Sequence, residues 1–146
     1  MRCRSLTMKA RVKWVEDKKF IGESPSGHAL VMDASKEVGG SDLGIRPMEM
    51  LLLGMGGCSS IDVVMILQKS RVDISDCYVE LEATRADTEP MVFTSIHAHF
   101  VITGRNVKPA TVERAISLSM EKYCSASIML GKTADITHDF EILETR

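Results

Sequence analysis

Pro47-Met-Glu-Met-Leu-Leu-Leu-Gly-Met-Gly-Gly-Cys58-Ser-Ser-Ile-Asp-Val-Val64 is the stretch on which the fold turns. Proline favours the first position of a helix, where its missing N–H costs nothing. Glu49 follows in the first turn, where a negative charge complements the helix dipole, and Lys69 and Arg71 suit the other end. The stretch therefore predicts one helix from Pro47 to Lys69 or Ser70. Before Ser59 it is apolar on nearly every side, the mark of a helix covered all round. Gly54, Gly56 and Gly57 each cost about 1 kcal/mol relative to alanine, a cost tolerated where another backbone approaches closely.

Outward from this helix the pattern changes period. Ala10 to Val15 alternates, with Ala10, Val12 and Trp14 on one face, and predicts a half-buried strand. Phe20–Glu23 and His28–Asp33 read as two more strands around the turn Ser24-Pro-Ser-Gly27, completing a three-stranded meander. Residues 34–45 carry three glycines and no period, and read as a surface loop. Beyond the helix, Cys77–Thr84 and Val92–Thr103 alternate and predict a long hairpin. Pro109 opens a second helix with the stripe Val112, Ile116, Met120, Tyr123 and Cys124, ending by Gly131 as a C′ glycine. Ala134–Leu143 reads as the last strand. The order βββ-α-ββ-α-β defines an α+β fold in which both helices need a sheet.

Composition sets the outer limits. The chain has 146 residues, 45% hydrophobic and 26% charged, with net charge −2 and pI about 6.1. That balance predicts one globular domain over residues 8–146, preceded by a disordered lead at 1–7 that contains Cys3. No basic footprint points to nucleic acid. The longest apolar run is interrupted by Glu49, three glycines and Asp62, so no membrane span is expected. Without a secretory signal, the four cysteines (3, 58, 77 and 124) point to a reducing, cytoplasmic setting. None is spaced CxxC and none has a histidine within three residues, so no metal and no bound cofactor are expected. Ten methionines against seven aromatics fit a core with room for an apolar ligand.

Chemistry converges on Cys58 and Cys124. Buried helix cysteines are commonly inert packing, but Gly56, Gly57, Ser59 and Ser60 leave space around Cys58. A nucleophilic thiol must ionise, and an unperturbed one is only a few per cent thiolate at neutral pH. Arg46, Lys122, Arg11 and Lys18 are the cations that can favour ionisation. Asp62, one turn after Cys58 on the same face, would oppose it and reads as a helix-face acid meeting a base across a dimer. His97 and His99 share a strand face at metal-binding spacing but lack a visible third ligand. His138 reads as a hydrogen-bonded core histidine and His28 as a surface residue.

A proline opening a glycine-rich helix, a cysteine eleven residues later and a second cysteine 66 residues beyond it resemble the OsmC-like family, the osmotically inducible protein C and organic hydroperoxide resistance group. The resemblance extends over roughly residues 8–144. It implies an intertwined homodimer with long central helices packed against sheets and active sites at the subunit interface. It implies a thiol-dependent peroxidase in which Cys58 attacks an organic hydroperoxide and Cys124 captures the sulfenic acid as a disulfide, re-reduced by an external dithiol. Arg46 and Glu49 are the supporting site residues. Peroxidase members place an acid directly after the proline, where this chain has Met48, and a proline after the second cysteine, where it has Ser125. The displaced acid favours the alternative implied by the same resemblance, a small-molecule-binding or stress-associated protein with little peroxidase turnover; both cysteines at the family's spacing favour the peroxidase, which is the leading expectation.

Overall fold

The computed structural model describes residues 6–145. Most of the expected lead, including Cys3, lies outside them. The chain forms two compact units, divided between Leu51 and Leu52.

The first unit is the meander. β1 (Arg11–Glu16), β2 (Lys19–Glu23) and β3 (Ala29–Met32) pair antiparallel in sequence order. Gly27 supplies the left-handed residue (φ +86°) of the β2–β3 turn, a conformation that costs a side chain dearly. β1 differs from expectation. It alternates as read, yet Val12 and Trp14 are 61% and 58% exposed, because none of the described residues of the first unit covers their face. The 34–45 loop is held by Asp33, which is buried and accepts hydrogen bonds from the N–H groups of Ala34 (2.7 Å), Leu43 (3.1 Å) and Ser41 (3.2 Å). Burial pushes its carboxyl up, but these N–H groups and the Lys19 charge outweigh it and hold Asp33 below the usual carboxylate range.

Helix α1 (Pro47–Lys69) starts in the first unit and continues into the second. Its boundaries match the sequence signals, but its burial does not. Met55, Ser59, Val63 and Leu67, spaced by four, form one buried stripe, while Leu53 and Ile61 are more than 60% exposed. By length and a mean hydropathy of 1.9, α1 is apolar enough to cross a bilayer, so the sequence argument against a span was too strict. Its buried stripe packs on protein. A Cβ at Gly56 would come within 2.7 Å of Leu81 Cδ1 and 3.4 Å of Val79 Cγ1, so any larger residue there requires the Leu81 side chain to move.

The second unit's sheet has the order β4 (Asp73–Arg85), β5 (Phe93–Arg105), β6 (Asp135–Glu144). β4 and β5 form the expected hairpin, and β6 runs parallel to β5. Ile96, Ala98, Phe100 and Ile102 are fully buried on one face of β5. A parallel partner needs a crossover, supplied here by the segment between β5 and β6. That segment is not the single helix expected. α2 (Pro109–Leu118) gives way to a π-helical turn over Ser119–Tyr123, then to the short α3 (Ser125–Leu130). Gly131 follows α3 but is right-handed (φ −65°), not a left-handed C′ glycine.

Candidate functional site

The π turn delivers the second cysteine. Cys124 N–H bonds the Ser119 carbonyl five residues back (2.7 Å), and Cys124 then leaves the helix in an extended conformation and caps α3. Its sulfur accepts from the backbone N–H (3.3 Å) and hydroxyl (3.0 Å) of Ser127 and lies 4.0 Å from the Met55 carbonyl oxygen on α1. π turns inside α-helices recur at functional sites because they re-aim one side chain without breaking the element.

The same turn ties the crossover to α1. The Ser119 hydroxyl donates toward the Ser59 carbonyl oxygen and Asp62 Oδ2, each 3.2 Å away. Ser59 bonds back to the Met55 (2.9 Å) and Gly56 (3.2 Å) carbonyls. As a result the Cys58 sulfur, the Cys124 sulfur and an Asp62 carboxylate oxygen all lie within 4.8 Å of one another. Both cysteines are free thiols; Cys58 is half-buried and Cys124 fully buried. Burial pushes the Cys124 thiol above its ordinary value; the Ser127 hydrogen bonds oppose that and Cys58 adds to it.

Sequence reasoning thus found both thiols and the Asp62 carboxylate one turn from Cys58, though it read that acid as meeting a base across a dimer; the fold brings the three together. It missed Ser119 and Ser127. The small polar run Cys124-Ser-Ala-Ser127 was the available signal, since a residue three after a helix cap offers its N–H to the cap side chain. Of the expected activating groups, Glu49, Arg46, Arg11 and Lys122 have other partners, and Lys18 lines an apolar cleft of the first unit. Glu49 Oε1 accepts the Arg46 N–H (2.8 Å), closing the first turn of α1. The Arg46 guanidinium pairs with Asp42 (3.3 Å), Arg11 with Glu23 (3.6 Å), and the Lys122 ammonium sits 5.2 Å from the Tyr123 ring centre.

A cleft of about 510 Å³ in the second unit shares Asp62 with the cysteine cluster. Met65, Ile66 and Leu118 give it apolar wall, and Lys69 and Arg114 give it two cations. In the first unit a separate, mostly apolar cleft of about 350 Å³ is lined by Val12, Leu30, Met32 and Met50.

The histidines resolve differently. Asp139 on β6 accepts from both His97 Nε2 (2.9 Å) and His99 Nδ1 (2.6 Å) on β5, and Thr137 reaches His97 Nδ1 (2.7 Å). Parallel pairing of β5 and β6 sets Thr137 opposite His97 and Asp139 opposite His99, within reach of both rings, which the sequence could not reveal. His138 is half-buried beside Ile136 and Phe140 rather than fully in the core, and His28 lies in the exposed β2–β3 turn against Ser26 (3.1 Å).

Residues 39–139 match the family model of the OsmC-like protein. Protein YhfA of Escherichia coli K12 is 52% identical over 136 residues, covering 93% of this chain and 98% of its own. A hypothetical protein from Aquifex aeolicus is 26% identical with a TM-score of 0.84, covering 96% and 98% of the two chains. A Vibrio cholerae structure with captopril bound in one of its active sites is 12% identical with a TM-score of 0.68, covering 95% and 94%.

Proposed function

The chain belongs to the OsmC-like protein family, and from that premise we propose that it is a cytoplasmic, small-molecule-binding, stress-associated member whose Cys58–Cys124 pair turns over organic hydroperoxides slowly at most. The observation that carries this reading is the neighbour of the thiols. It is a carboxylate, Asp62, where a fast thiol peroxidase needs a cation. Burial pushes the Cys124 thiol up, and Arg11, Arg46 and Lys122 each engage another group. In this reading Arg46 and Glu49 serve the start of α1. The ligand enters the cleft that shares Asp62 with the cysteines; its apolar wall and two cations suit a small organic anion. A fold relative that holds captopril in an active site is a precedent for such a molecule. The functional unit is an intertwined homodimer, in which a second copy covers the apolar residues left exposed on β1 and α1.

A second reading keeps the peroxidase. It is favoured by the closeness of the two sulfurs and by their order of burial. The half-buried Cys58 can meet a hydroperoxide first. Its sulfur attacks the distal oxygen, the O–O bond breaks, an alcohol leaves, and Cys58 becomes a sulfenic acid. Cys124 then displaces water to form the disulfide, and an external dithiol restores both thiols.

The two are separated by following cumene hydroperoxide consumption with excess dithiol, in the native protein and in Cys58→Ser. We expect a Cys58-dependent kcat/KM below about 10⁴ M⁻¹s⁻¹, the lower edge of ordinary enzymes. A Cys58-dependent value well above that edge overturns the proposal in favour of the peroxidase.

A further inference from the structure

We infer that Cys58, Cys124 and Asp62 form a binding site for a thiophilic divalent cation, zinc by its chemistry, whose occupancy and the Cys58–Cys124 disulfide exclude one another. Local spacing argued against zinc because the sequence has no CxxC and no nearby histidine. That test sees only ligands close in sequence, whereas these converge from α1 and the end of the π turn, 66 residues apart.

The donor set fits. Zinc takes thiolate sulfur at about 2.3 Å and carboxylate oxygen at about 2.0–2.2 Å, so ligand atoms around a tetrahedral ion lie about 3.5–3.8 Å apart. The three atoms here are already within 4.8 Å of one another, and side-chain movements of about an ångström close the set. Three protein ligands leave a fourth position for water, and Cys58, half-buried, is the side from which ion and water arrive.

The surroundings are those of ligands held in place. Ser127 donates two hydrogen bonds to the Cys124 sulfur, and Ser119 donates to Asp62 Oδ2. Such outer contacts orient metal ligands and stabilise their deprotonated forms. The carboxylate also gains a reason to be there. Beside two thiols that must ionise to react it is a hindrance, but beside a cation that replaces both thiol protons it is a ligand. Binding joins one zinc ion to two sulfurs and one carboxylate oxygen and releases two protons to solvent, so affinity rises with pH. Once coordinated, neither sulfur is free to attack a peroxide or the other sulfur.

This inference rests on the cysteine geometry and does not depend on peroxidase turnover. Reduced full-length protein is titrated anaerobically with zinc against a chromophoric chelator, and separately with cadmium, whose bond to thiolate gives an ultraviolet charge-transfer band. We expect one tight equivalent per chain. It should be lost in Cys58→Ser and in diamide-oxidised protein, and weakened at least tenfold in Asp62→Asn, which should still form the disulfide under diamide. Circular dichroism checks that each variant folds; should Asp62→Asn fail, loss of the cadmium band in Cys58→Ser carries the test. The inference is overturned if no tight equivalent exists or if Cys58→Ser binds as native does. It is also overturned if binding disappears instead in the His97→Ala/His99→Ala variant, which would move the ion to the exposed sheet face. Hydroperoxide consumption by metal-free protein is scored separately, so the two readings fail independently.

Discussion

Asp139 shows how one residue can organise a surface that sequence spacing only hints at. Two histidines two residues apart on β5 were visible as a pair, but the acid that joins them comes from a strand 40 residues later, and only parallel register aligns it. Its hydrogen bond pushes the His99 pKa above 6.5; burial opposes this, and the charge of Asp139 and the Glu141 carboxylate support it. The same bond lowers Asp139 below 3.8. A raised His99 contributes stability that is complete below its unfolded value and disappears as pH rises through its folded value. A depressed Asp139 contributes stability that is complete above its unfolded value and is lost as pH falls through its folded one. The pair is therefore most stabilising between about pH 4 and 6.5. We expect the His99 imidazole resonances to titrate above 6.5 in the native protein and to move down in Asp139→Asn. Unchanged titration would show that Asp139 does not set the shift. At the candidate site the same logic holds: the types and positions of Cys58 and Cys124 were legible, and Asp62 as the acid one turn from Cys58, while Ser119 and Ser127, which bond to Asp62 and Cys124, were hidden in a nonlocal turn.

Among the elements, α1 was the most legible because proline, first-turn acid and terminal lysine all point the same way. The alternation of β5 fixed its buried face for the same kind of reason. The extents of two elements were misread, each where tertiary contacts override local pattern. β4 begins at Asp73 rather than Cys77, and a register irregularity between Ile74 and Asp76 breaks the alternation that would have announced it. The crossover keeps helical periodicity straight through Ser119–Tyr123, with neither proline nor glycine, although Ser119 is pulled to Ser59 and Asp62 and the helix widens there. The glycines of α1 offer a test at this scale. Gly56 is pressed against Leu81, but a Cβ at Gly57 meets nothing within 4 Å in this chain. In the chain alone, Gly57→Ala should stabilise by about 1 kcal/mol, or about 2–4 °C for a protein of this size. With a second copy crossing α1 at that point, we expect it instead to lower the melting temperature and weaken self-association. A gain of a few degrees with unchanged association would count against the central-helix dimer.

For the whole molecule, the chain leaves unusual amounts of apolar surface open: Val12 and Trp14 on β1, Leu53, Ile61 and Met65 on α1. On each of these elements taken by itself, apolar exposure of this kind marks an interaction surface. Trp14 is the only tryptophan, so intrinsic emission reports on the meander alone. We expect its emission to shift to the red on dilution through the dissociation range, in step with the mass measured by light scattering. A red-shifted emission that ignores concentration would leave β1 open to water in the assembled protein.

The placement of Cys124 has a mechanical consequence. It sits in the crossover that carries the chain from β5 to its parallel partner β6, and Cys58 sits on the long helix. Joining the two sulfurs would staple the crossover to that helix and close a loop of some 66 residues, worth about 4 kcal/mol in lost freedom of the unfolded chain. Opening the staple returns that freedom. The resistance of this protein to heat and protease then becomes a gauge of the thiol balance around it, whatever chemistry set that balance.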